Sequence, residues 1–177
     1  MRLAALILST MGGLLMMLVG LLKRKDHMLI GQCAQFGLQG ASHFLVGSVS
    51  GGISTTVGIV RILVFSWVKV TALLKLGFIL LQLVLTWWSG ADTLLEWLPM
   101  LAMVAYTWYL DTENVVLFKL VNLLGSSLWL AHDVAYGLYT LVVFDILTIC
   151  SLIIGIIRVM KDNARKKTAA EGESSHE

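Results

Sequence analysis

Proline is almost missing from this chain. Pro99 is the single example among 177 residues, so little interrupts long helices. Cysteine is nearly as scarce. Cys33 and Cys150 lie in separate apolar stretches, which excludes a disulfide framework and a zinc-ligand spacing. Charge is thin as well: Asp, Glu, Lys and Arg make up 14% of the chain, where a soluble domain carries about a quarter. The charges that exist sit in clumps. No phosphate-cradling glycine loop and no nucleophile–base motif is present, so the sequence gives no basis for an enzyme or for a bound cofactor.

What remains is apolar. Hydrophobic residues are 58% of the total, and they fall into seven runs, most of them near the ~20 residues that cross a bilayer as a helix. The runs are expected at about Leu3–Leu22, Met28–Val49, Ile53–Val68, Val70–Trp88, Leu94–Leu110, Val115–Ala135 and Leu138–Met160. A turn is expected at Ser50-Gly51-Gly52. The first run is expected to be a retained helix, because its basic cluster, Lys23-Arg24-Lys25, follows it instead of preceding it. From Lys161 onward the chain is polar and rich in Glu, Ser and Gly, a composition that points to disorder.

Basic residues set the orientation. With the N-terminus outside, Lys23, Arg24, Lys25, Lys69, Lys119 and the 158–167 cluster all fall at the inner face, and Arg2 is alone outside. This is the positive-inside pattern. Arg158 reads as snorkelling to the headgroups, and Arg165-Lys166-Lys167 suits anionic lipid better than nucleic acid.

Polar residues inside the apolar runs carry the functional reading, since hydrocarbon offers them no hydrogen-bond partner. In the sixth run Asn122, Gly125, Ser126, Trp129, His132, Asp133 and Tyr136 recur at helical spacing and share one face. In the second, Gln32, Gln35, Gln39, Ser42 and His43 form a stripe. That stripe either lines a cavity or bonds neighbouring helices. His43 either lines the cavity or caps a helix contact. His132 and Asp133 line the cavity or sit at the interface. Asp145 lies about two turns into the seventh run, where a charge costs about 2.5–3.5 kcal/mol even on lenient scales. Its natural partner by depth is Arg61 in the third run, through a direct contact or a shared aqueous cavity.

An internal repeat is also visible. His43 precedes Gly51 by eight positions, as Trp129 precedes Gly137, and the following helices carry Gly58-Ile59-Val60-Arg61 and Gly155-Ile156-Ile157-Arg158. Two three-helix units in the same orientation require a lone helix between them. This divides the chain into a first bundle (1–68), a linker helix (69–92), a second bundle (93–160) and a tail (161–177). Parallel repeats about the membrane normal are a transporter plan with a midplane site. The layout resembles that of SWEET and PnuC-type transporters, though none of their substrate motifs occurs here.

The chain more closely resembles the YgjV family of bacterial inner-membrane proteins, from about Gly20 to Lys161. The residues that carry the resemblance are Lys23-Arg24-Lys25-Asp26, His43-Phe44-Leu45-Val46-Gly47, Arg61, Leu98-Pro99 and Trp129-Leu130-Ala131-His132 with Gly137 beyond. Asp133 departs from the uncharged polar residue expected there. The resemblance implies an inner-membrane location and transfers no site residues.

The reading is therefore an all-α polytopic membrane protein of seven transmembrane helices, arranged as two parallel three-helix bundles joined by a linker helix. It is expected to act as a small-solute transporter. His43, Arg61, Trp129, His132, Asp133 and Asp145 are the candidate substrate-binding residues, with no metal and no cofactor. Its partners are the lipid bilayer, an unidentified solute and possibly a second copy of the chain. The alternative is a membrane receptor or assembly protein that uses the same polar faces for partner helices.

Overall fold

The computed structural model describes residues 2–46, 49–90, 93–135 and 139–174. Seven α-helices follow in order: α1 (Arg2–Leu21), α2 (Lys25–Val46), α3 (Val49–Trp67), α4 (Ala72–Trp88), α5 (Leu94–Tyr109), α6 (Val115–Ala135) and α7 (Tyr139–Ser174). No strand occurs among the described residues. Three stretches are long and apolar enough to cross a membrane: Leu3–Leu21, Val115–Ala135 and Leu141–Arg165. Gly52–Trp67 and Ala72–Trp88 are shorter apolar helices.

Local chemistry explains the boundaries. The Thr71 hydroxyl accepts from the Leu74 N–H at 3.2 Å and starts α4. A Thr93–Glu96 capping box starts α5, with the Thr93 N–H donating to Glu96 Oε2 at 2.9 Å. Asn114 Oδ1 accepts from the Val116 and Leu117 N–H groups at 3.0 and 3.1 Å and starts α6. Pro99 lies inside α5, which continues past it to Tyr109.

Two expectations need correcting. Ser50-Gly51-Gly52 is not a turn; it belongs to the first turns of α3. The close packing of Gly52 against Phe44, whose ring a Cβ at Gly52 would meet at 2.6 Å, explains the small residues there. The segment from Lys161, expected to be disordered, is helical as far as Ser174. Its Ala, Lys, Arg and Glu residues are strong helix formers, and α7 hands them an existing helix to extend, so no new nucleus is needed.

Each helix packs on its neighbours in the chain, and α1 closes the ring against α7. The α1–α7 seam depends on glycine. A Cβ on Gly155 would collide with the Gly20 carbonyl oxygen and lie 2.8 Å from Lys119 Nζ, and one on Gly13 would strike the Phe144 ring. Small residues let helix backbones approach closely where lipid gives no hydrophobic drive. The bundle is inside-out compared with a soluble protein. Its core buries charged residues such as Arg61, Lys119 and Asp145 beside Met28 and Phe118, while Trp67, Leu73 and Trp88 are more than 80% exposed. In water such exposure would cost about 25 cal/mol per Å²; against acyl chains it costs nothing.

Ionic contacts gather at one end, called the basic end below. Lys75 meets Asp111 at 2.7 Å and donates to the Trp108 carbonyl at 2.9 Å. Lys23 meets Asp162 at 2.5 Å, and Lys25 donates to the Thr112 carbonyl at 2.5 Å. Burial lowers the Lys25 ammonium below the usual lysine range, with Asp111 the strongest opposing charge.

Candidate functional site

The polar stripes of α2 and α6 face inward and meet. Gln32 Nε2 donates to Asn122 Oδ1 at 2.6 Å, and the Tyr106 hydroxyl of α5 donates to Gln32 Oε1. Asn122 in turn donates to the Phe118 carbonyl at 2.8 Å within α6. Gln35 donates to Gln39 at 3.1 Å. Three helices are thus tied by one chain of hydrogen bonds in the middle of the bundle. Each link is valuable because an unmade bond there leaves a polar group with no water to turn to.

This chain lines a pocket of about 100 Å³, room for several water molecules. Its lining comes from α1, α2, α3, α5, α6 and α7; among the described residues α4 contributes nothing. Amides and hydroxyls alternate around it with Phe36, Phe144 and Trp129. Its charged lining residues are Asp133 and Asp145.

These two carboxyl groups belong to adjacent helices and line the same pocket. Asp133 sits near the end of α6 and is 3% exposed; Asp145 sits in the second turn of α7 and is 7% exposed. Two ionised carboxylates present only acceptors and repel, so a proton on one of them is what lets both face one buried pocket. Asp133 Oδ1 also lies 2.8 Å from His132 Nδ1. The His132 ring stands edge-on to Trp129, with centroids 5.8 Å apart. Asp145 Oδ2 and Thr148 Oγ1 have no hydrogen-bond partner among the described residues, although both are buried.

The structure brings together some of the expected residues and separates others. Trp129, Asp133 and Asp145 line the pocket, and His132 backs Asp133. The side chain of His43 lies outside the described residues, as do Tyr136 and Gly137.

Arg61 does not meet Asp145 and does not line the pocket. Its Nη1 donates to Thr107 Oγ1 at 2.7 Å and to the Met103 carbonyl at 3.4 Å, and its guanidinium lies 4.7 Å from the Tyr106 ring centroid. The reason is depth. Arg61 is six residues from the basic end of α3, and Asp145 is six residues from the opposite end of α7. At 1.5 Å per residue each is about 9 Å from its own end of a ~30 Å bundle, so roughly 12 Å separates their levels.

Sequence reasoning overlooked Tyr106 and Thr148. Thr148 was findable, because it lies three residues after Asp145 and therefore on the same helical face. It also placed Lys119 at the inner face, where the structure buries it completely with Nζ 2.6 Å from the Gly20 carbonyl. There the ammonium satisfies an orphan carbonyl in the last turn of α1 and favours that helix's negative end.

No curated protein and no solved structure matches this chain. A family model does match, over residues 3–163 and described as a bacterial inner membrane protein. The inward polar stripes, the lipid-suited exterior and this match over most of the chain agree: the chain belongs to the Imp-YgjV family of bacterial inner membrane proteins.

Proposed function

We propose that this protein is a small-solute transporter of the inner membrane. In this reading all seven helices span the bilayer, with the N-terminus outside and the C-terminus in the cytoplasm, and two parallel three-helix bundles enclose the solute. The observation that carries the reading is the central pocket: six helices line it, five of them with polar side chains, and among the described residues the linker helix α4 does not.

The repeat supports the same arrangement. Residues 86 positions apart in the two halves both face the pocket: Gln35 and Val121, Phe36 and Asn122, Gln39 and Gly125, Thr55 and Leu141. His43 and Trp129 keep this interval, as do Gly51 and Gly137. The same faces of α2 and α6 thus serve one centre, as a rotation about the membrane normal requires. Alternating access would then be a rocking of one bundle against the other, with the glycine seam between α1 and α7 as the fulcrum.

The experiment is uptake by purified protein in liposomes, screened over sugars, nucleosides, small acids and small organic cations. Concentrative or counterflow uptake of at least one class is expected. Failure across the panel, together with a tightly co-purifying membrane partner, would transfer the polar faces to a receptor or assembly role.

A further inference from the structure

The pocket is chemically lopsided. Its amides are largely spent on each other, Gln32 with Asn122 and Tyr106, Gln35 with Gln39. Among its fully buried polar atoms two have no partner, Asp145 Oδ2 and Thr148 Oγ1, on one face of α7 and both buried more than nine-tenths. Aromatic rings of Trp129, Phe36 and Phe144 supply the remaining walls. Free acceptors, a carboxyl pair and an aromatic face are the complement of a cation with N–H donors. Among the described residues no three His, Cys, Asp or Glu side chains converge as a metal would need. This disfavours a transition-metal site, and the aromatic walls suit a cation with an organic body.

Resting on the transporter reading, we propose that the pocket binds a small organic cation, of the ammonium or guanidinium class, in exchange for one proton carried by its two carboxyl groups, Asp133 and Asp145. The exchange balances. The pair begins with one proton and one negative charge. The cation settles against Asp145 Oδ2 and Thr148 Oγ1, the O–H bond of the protonated carboxyl breaks, and the proton leaves to water. The pair then holds two negative charges and the single positive charge of its guest. One cation moves one way for one proton moving the other.

The groups facing the pair are few. From α6, His132 contacts Asp133. From α5 the Tyr106 hydroxyl faces the pocket but is engaged by Gln32. α1, α2, α3 and α7 offer the pocket no further titratable side chain among the described residues, and Arg61 and Lys119 are turned to α5 and to the Gly20 carbonyl. The proton therefore has the carboxyl pair as its seat and His132 as its nearest relay.

The test uses full-length protein in liposomes that contain a pH-sensitive dye, with the membrane potential clamped at zero. Millimolar guanidinium or methylguanidinium is added outside, and labelled glucose, uridine and lactate are followed in parallel vesicles. External guanidinium is expected to raise the internal pH. Asp145→Asn should reduce the rate at least tenfold, and Thr148→Val several-fold, with both variants eluting as the native protein does on size exclusion. Cation entry without a pH change would overturn the exchange. So would a pH change that survives both substitutions. Uptake of a neutral or anionic solute with no response to either cation would overturn this inference and leave the transporter reading standing. Silence from every solute would remove both.

Discussion

Replacing Arg61 separates a structural strut from a working charge. The side chain is 2% exposed and has no carboxylate partner among the described residues. It binds α5 through Thr107, the Met103 backbone and the Tyr106 ring. A hydrogen bond from a charged donor contributes about 1.5–3 kcal/mol, and a desolvated cation–π contact about 2 kcal/mol. Against these stands the desolvation of a guanidinium among neutral groups, several kcal/mol in its own right. The two sides nearly cancel.

Removing the charge also strands nothing, since the Thr107 hydroxyl already donates to the Met103 carbonyl at 2.6 Å. Arg61→Met keeps most of the volume and should cost only about 1 kcal/mol, whereas Arg61→Ala opens a cavity and should cost about 3 kcal/mol. For a chain of this length that is a fall of roughly 2–4 °C in Tm for the first and about 6–12 °C for the second. Both are measured by intrinsic tryptophan fluorescence in detergent, alongside uptake. Equal destabilisation by Met and Ala would refute the reasoning, because volume would then be irrelevant. Normal melting with abolished uptake in Arg61→Met would return Arg61 to the transport machinery.

Gly155→Leu should lower Tm by more than 6 °C, about 3 kcal/mol of overpacking where the backbone cannot give way; an unchanged melt would mean that α1 and α7 are not in contact there. Gln32→Leu breaks the Tyr106–Gln32–Asn122 chain and strands a hydroxyl and an amide, costing about 1–3 kcal/mol, while Gln32→Glu with Asn122→Gln should not rescue it. Green fluorescent protein fused after Glu177 should fluoresce in cells, and alkaline phosphatase at the same position should stay inactive, if the basic end is cytoplasmic.

Much of the architecture was legible because lipid imposes a simple rule on sequence. The run Val115–Ala135 coincides with α6, since a change from apolar to polar residues marks where a helix leaves hydrocarbon. The inward stripe of Asn122, Ser126, Trp129 and Asp133 was legible for the same reason: helical spacing alone puts them on one face. Partners between helices were not legible. Periodicity gives a residue's direction around its own axis but not the rotation of the neighbour it meets, so depth alone points Asp145 to Arg61, whereas the charged residue that shares its pocket is Asp133. The helical state of the Lys161–Ser174 segment was hidden for another reason. Its composition suggests a solvated coil, and only its covalent continuity with α7 favours a helix.

That continuity has a mechanical consequence. At 36 residues α7 is about 54 Å long, and a bilayer core is about 30 Å thick. Some 24 Å of helix therefore extends past the hydrocarbon core at the basic end, continuous with the turn that bears Asp145. A few degrees of tilt deep in the bundle becomes several ångströms of sweep at Ser174. The helix thus acts as a lever, which turns a small rearrangement around a buried carboxyl into a movement at Ser174 that a pair of attached dyes would sense.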